Sequence, residues 1–266
     1  MEAMETKPLE LPKEDYVPVI DGLPKKFSMI VFGPPKVGKT TFGSEFEKSL
    51  ILELEPGGAD HVRCRKLDIS SLRDFRSLYK TLKEDTEYST IVIDSLDKIA
   101  SWIEDEICAE MGLTNIMDAK KGERHGSQWG EYKARVLGFL SGMSKLDKRV
   151  IFLAHTKRAD IDNNGQAINP KTINLYGQCA SQVLALVDNV GYMFAEEVEA
   201  GKVKHFLSFR PGAYVEAGAR HPALSGKRIE LPKGKAYAAF EDCFKPQPPA
   251  KPLELPKDEK KKGGKK

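Results

Sequence analysis

Long hydrophobic runs are missing from this sequence of 266 residues. No stretch approaches the roughly 20 apolar residues that cross a bilayer, and the opening MEAMETKPLE is polar and acidic, unlike a signal segment. Membrane insertion and export are therefore not expected. Cysteine is scarce as well. Cys64, Cys108, Cys179 and Cys243 are widely spaced with no C-x-x-C pair, which argues against a disulfide framework or a zinc site and for a reducing cytoplasm. His61 and Cys64 lie three apart, but no second pair follows to complete a metal half-site. A dominant charge sign is also lacking. The net charge is +3, yet residues 245–266 carry +5 and residues 1–26 carry −2, leaving 27–244 neutral. Any nucleic-acid binding by the central part must come from a local patch.

What the chain does have is Gly33-Pro-Pro-Lys-Val-Gly-Lys-Thr40, a fit to G-x-x-x-x-G-K-[ST], directly after the apolar run Phe27–Phe32. A buried strand ends there, a helix begins at Lys39, and the turn between them is shaped to wrap a phosphate. Gly33 and Gly38 allow close backbone approach and angles that a side chain forbids. Pro34 and Pro35 have no N–H, so the donors come from Val37, Gly38, Lys39 and Thr40, with Thr41 next on the helix. Lys39 reaches the β- and γ-phosphates and the Thr40 hydroxyl holds Mg²⁺, so ATP with Mg²⁺ is the expected cofactor.

Apolar runs and helical patterns alternate through 27–244, the mark of a sheet built from βαβ units. Strands are expected at Phe27–Phe32, Leu50–Glu55, Val62–Leu67, Thr90–Asp94, Val150–Ala154, Asn189–Phe194 and His205–Phe209. Ser70 or Ser71 caps a helix with Leu72, Phe75, Leu78, Tyr79 and Leu82 on one face. Ser127 opens another with Trp129, Tyr132, Val136, Leu137, Leu140 and Met143 inward. The last two strands, joined by Glu196–Lys204 around Gly201, form an antiparallel hairpin at one edge. The expected fold is α/β: a mostly parallel sheet with helices on both faces, between a flexible segment at 1–26 and a basic tail at 245–266.

Three strand ends carry candidate chemistry. Asp94 closes an apolar strand and is placed to support Mg²⁺; a helix cap is the competing role. Ser95 follows it rather than Glu, so the group that handles water must come from elsewhere. Alternation sends Glu53 and Glu55 to one side, and Glu55 lies nearer the phosphate edge, making it the candidate base. His155 ends the third strand and is a candidate γ-phosphate sensor. Lys157, Arg158 or Arg210 would serve as a cation reaching a neighbouring subunit's nucleotide.

Two long polar connections, Gly112–Ser127 with Lys120, Lys121 and Arg124, and Thr156–Asn174 with Lys157, Arg158 and Lys171, are candidate grips for a sugar-phosphate backbone. Finally, Lys7-Pro-Leu-Glu-Leu-Pro-Lys13 recurs letter for letter as Lys251–Lys257. It reads either as a biased linker used twice or as a short motif that recruits a partner.

The Walker A loop, the acids ending at Glu55, Ile93-Asp94-Ser95 and the polar strand end at His155 together resemble the RecA-like recombinase core. More narrowly, Glu55-Pro-Gly-Gly58, Val92-Ile-Asp-Ser95, Gln128-Trp-Gly-Glu-Tyr132 and Leu153-Ala-His-Thr156 are similar to Sak-type phage nucleotide-binding proteins. That resemblance covers about Phe27–Phe240. It implies a RecA-like P-loop core with weak or DNA-stimulated ATPase activity. It further implies binding of single-stranded DNA, annealing or homologous recombination, self-association, and partners such as a single-strand binding protein, in a bacterial host cytoplasm. His155 stands where the bacterial recombinase has glutamine. A helicase-like or loader ATPase and a nucleotide-dependent adaptor are the alternatives.

Overall fold

A computed structural model describes residues 22–84, 86–118, 126–157, 171–199 and 201–246. The chain runs β1 (Phe27–Gly33), α1 (Lys39–Ser44), β2 (Ser49–Glu53), β3 (Lys66–Asp68), α2 (Leu72–Lys83), β4 (Thr90–Asp94), α3 (Leu96–Met111), α4 (Ser127–Met143) and β5 (Arg149–His155). It continues through α5 (Gly177–Leu186), β6 (Asn189–Glu199), β7 (Lys202–Ser208), β8 (Gly218–Ala219), β9 (Arg228–Glu230) and α6 (Ala236–Glu241) to a 3-10 turn at Asp242–Phe244. The sheet order is β3-β2-β4-β5-β1-β6-β7-β9, with β8 also on β6. From β3 to β6 every neighbour is parallel; β7, β8 and β9 pair antiparallel. This is the expected α/β fold, a mostly parallel sheet with helices on both faces and an antiparallel edge.

Alternation along the strands divides the core in two. Ile30 and Phe32 of β1, Ile91 and Ile93 of β4 and Phe152 of β5 face α2 to α5. Met29 and Val31, Val92, and Ile151 and Leu153 face α1 and α6. Strands buried on both sides must be apolar throughout, which is why these three read as unbroken hydrophobic runs. Helix α2 starts where Ser71 Oγ accepts the Asp74 N–H at 3.2 Å, and buries Leu72, Phe75 and Leu82. The Trp129 and Tyr132 rings pack edge-on against Tyr176 (5.1 and 5.5 Å), so the aromatic face of α4 is core.

Several expected boundaries move. The strand expected at Leu50–Glu55 ends at Glu53, because the chain turns at Pro56–Gly57. The one expected at Val62–Leu67 shrinks to Lys66–Asp68. The hairpin is longer than expected, since β6 runs to Glu199 and β7 starts at Lys202. β7 is not the edge, because β9 pairs beyond it. Residues 22–26 meet the core: Gly22 N–H donates to the Phe244 carbonyl at 3.0 Å, and Arg149 Nε donates to that of Pro24 at 3.0 Å. No described helix is long and apolar enough to cross a membrane.

Candidate nucleotide site

The site lies where β1, β4 and β5 end together. Register puts Gly33 beside His155 and Asp94 beside Leu153, and the Thr156 N–H donates to the Gly33 carbonyl at 3.2 Å. The two loop glycines serve different needs. A Cβ on Gly33 would fall 2.2 Å from the Met193 carbonyl oxygen, so close packing against β6 excludes a side chain. Gly38 holds φ at 100°, in the left-handed region, with open space around its Cα. From there α1 begins, and Phe42 N–H closes its first turn on the Gly38 carbonyl at 2.9 Å.

Lys39 is buried and folds back over the loop, donating from Nζ to the carbonyls of Gly33 (3.1 Å) and Pro34 (2.9 Å). Burial lowers its pKa, while Asp94, Asp97 and Glu55 pull it back up. Thr40 Oγ1 donates to Asp94 Oδ2 at 2.6 Å. Burial raises the Asp94 carboxyl pKa, the Thr40 hydrogen bond opposes that, and the Glu55 charge adds to it. A hydroxyl at the head of a helix facing a carboxylate held against its ionisation is a donor set suited to Mg²⁺. The buried ammonium beside the loop suits a polyphosphate. These residues fit ATP and Mg²⁺.

Glu55 reaches the site from beyond its strand rather than from it. Ser95 Oγ donates to Glu55 Oε1 at 2.5 Å, locking the carboxylate beside the end of β4, where Leu54 N–H also bonds the Asp94 carbonyl at 2.8 Å. Glu53 does not share that position. It is 4% exposed and occupied by Lys66 Nζ at 2.5 Å and the Ala59 N–H at 2.8 Å. Burial raises its pKa, and these bonds together bring it below the usual value. The acid pair inferred from alternation is thus a structural Glu53 and a site-facing Glu55.

Asp97, in the first turn of α3, escaped the sequence reading. Its Oδ2 accepts the His155 N–H at 2.8 Å and lies 3.4 Å from His155 Nδ1. That contact raises the His155 pKa despite burial. Asp97 Oδ1 and Thr156 Oγ1 are buried with no hydrogen-bond partner among the described residues, leaving polar capacity beside the loop for a ligand or water. Its only sequence signal is a carboxylate three residues past Asp94, which a helix start explains equally well.

The remaining candidates scatter. Lys120, Lys121, Arg124 and Arg158 lie outside the described residues. Lys157 is exposed, with its N–H on the Thr172 carbonyl at 2.9 Å. Lys171 and Arg210 stand on the other side of the P-loop, in a groove with Pro34–Val37. Thr41 is exposed on α1.

A family model described as an AAA domain, AAA_24, matches residues 25–221. The chain belongs to this P-loop ATPase family. It is 28% identical over 130 residues to the SPbeta prophage-derived uncharacterized protein YorG of Bacillus subtilis (strain 168), a match covering 47% of this chain and 39% of that protein. The chain thus spans about two fifths of that relative's length. The KaiC-like protein PH0186 of Pyrococcus horikoshii OT3 superposes with a TM-score of 0.47 at 14% identity, over 81% of this chain and 89% of that one. The fold class rests on this chain's own strand order rather than on that superposition. It is thus an AAA-family P-loop protein with a prophage-derived relative.

Proposed function

We propose that this AAA-family protein binds Mg·ATP, hydrolyses it slowly, and uses the cycle to bind single-stranded DNA and promote annealing or strand pairing in phage recombination, as Sak-type proteins do. The observation that supports it most is the constellation at the strand ends. Thr40 and Asp94 stand 2.6 Å apart beside buried Lys39, with Glu55 and His155 completing the rim. Lys39 would neutralise phosphate charge, and Thr40 and Asp94 would hold Mg²⁺, which when bound would supply charge screening of the phosphates. Glu55 orients or deprotonates water, kept in place by Ser95. His155, tied to Asp97, reports γ-phosphate to the segment starting at Thr156. Self-association, recombination partners and a host cytoplasm belong to the same reading.

The deciding experiment is phosphate release from Mg·ATP with and without single-stranded DNA. Stimulation by DNA is expected. Equal rates, together with no DNA binding in the presence of ATP, would remove the recombination reading. Strand unwinding by discrete rings would replace it with a helicase-like motor.

A further inference from the structure

The arm of the P-loop at Pro34–Val37 is also one wall of an open groove of about 770 Å³. Tyr192, Phe194 and Ala195 of β6 and His205 and Ser208 of β7 also line it. There, Tyr192 and Phe194 stack with centroids 5.4 Å apart at 14°, and Phe194 and Phe206 at 5.6 Å and 28°. The Arg228 guanidinium carbon lies over this ladder, 3.9 Å from the Phe206 centroid and 5.2 Å from that of Phe194. Lys171 Nζ sits 5.3 Å from the Tyr192 ring. Tyr214 stands at the rim with 78% of its surface exposed.

The charge of the lining is one-sided. Among the described residues Lys36, Lys171, Arg210 and Arg228 line the groove along with His205, and no described Asp or Glu does. Arg228 is paired with Glu196 outside it. Arg210 gives Nε to the Gly226 carbonyl at 3.1 Å. Among the described residues neither Lys36, Lys171 nor Arg210 has a carboxylate at ion-pair distance. Cations gathered with no described acid in the lining favour an anionic occupant, and a planar guanidinium plus a bare phenol ring favour one that carries planar bases.

We propose that this groove is the seat of single-stranded DNA, with phosphates on Lys36, Lys171 and Arg210 and bases stacked on Tyr214 and on the outer plane of Arg228. The proposal rests on the reading that the protein binds single-stranded DNA, and of the residues in the two long polar connections it uses Lys171 alone. His205 joins the two sites: its Nδ1 lies 3.0 Å from the Val37 carbonyl while its ring lines the groove. A strand in the groove and a phosphate in the loop therefore press on the same few backbone atoms.

The test is fluorescence anisotropy of a labelled oligothymidylate of about 30 nucleotides on the full chain with Mg·ATP, at a series of salt concentrations. The Lys171→Ala/Arg210→Ala variant should lower the slope of log affinity against log salt by about 1.4, since each lost phosphate contact on a single strand removes about 0.7. Tyr214→Ala should weaken binding about 5-fold or more at unchanged slope. These three side chains are exposed, so matching thermal melts separate lost contacts from lost fold. If the unaltered protein binds and the variants match it in affinity and slope, the groove is overturned while the DNA reading stands. No binding by the unaltered protein overturns both. A change in sedimenting mass of the variants with DNA affinity intact would mean that a second copy of this chain covers the groove, and would also overturn the proposal.

Discussion

In the parallel part of the sheet, β4 and β5 are buried along their interiors and bring partly exposed polar side chains only to their ends, Asp94 and His155 at the carboxyl ends and Arg149 at the amino end of β5. In the antiparallel part, β6 and β7 set aromatic and charged residues along the strand, and β9 exposes Arg228 and Glu230 on either side of buried Ile229. A strand covered on both faces has no other place for chemistry than its tip, so strand length and register decide which groups meet. Register alone brings Gly33 to His155 and places Asp94 one strand away. A strand with one open face can display a surface instead. The same sheet thus carries a point-like site and an extended one, joined at the P-loop.

The sharpest way to break the point-like site is Lys39→Ala. ATP hydrolysis should fall about 1,000-fold, because a buried charge facing the phosphates is removed; phosphate release measures it, and normal turnover would refute the role. Next in size is Phe240→Ala, which attacks the joint between the two parts. Phe240 is fully buried and its ring packs against Phe27, Phe42, Phe46 and Phe244. Urea unfolding should show a loss of about 3–5 kcal/mol. A loss below about 1 kcal/mol would mean that α6 packs loosely. Glu55→Gln should slow hydrolysis about 100-fold with nucleotide affinity kept. Equal loss of affinity and rate would instead make Glu55 a binding group.

The smallest effect concerns pH. Asp97 raises the pKa of His155 above its ordinary 6.5. The folded state then holds its proton over a window in which the unfolded state has lost it. This contact is fully stabilising below about 6.5, and its contribution fades as pH rises through the higher folded value. The effect is up to about 1 kcal/mol for a group partly open to solvent. Melting temperatures across that window should fall for the unaltered protein and stay flatter for His155→Gln. Parallel curves would exclude the Asp97 contact in solution.

How much was legible in the sequence follows the same division. Thr90–Asp94 coincides with β4, and Phe27–Phe32 and Val150–Ala154 fall one or two residues short of β1 and β5, because burial on both faces leaves an unbroken apolar run. The Walker loop, Asp94 and His155 come together through that same regularity, while Glu55 is held there by Ser95. Arg228–Glu230 left no trace: three residues with one turned inward make no period, and only pairing with β7 defines them. Asp97 was hidden for a different reason. Its partner is 58 residues away, and nothing local separates it from an ordinary helix start. Glu53 and Glu55 were sent to one side because alternation assumes a strand that continues, whereas this one stops at Glu53.

The bond from Gly22 N–H to the Phe244 carbonyl sets the spacing of the repeated Lys-Pro-Leu-Glu-Leu-Pro-Lys segments. One copy ends at Lys13, before Gly22; the other starts at Lys251, after Phe244. At full stretch, ~3.5 Å per residue, the spacers measure ~30 Å and ~25 Å, so the two copies stay within ~55 Å of each other whatever path they take. If the segments recruit a partner, a receptor with two matching grooves inside that span would meet the second copy at roughly millimolar local concentration once the first had bound.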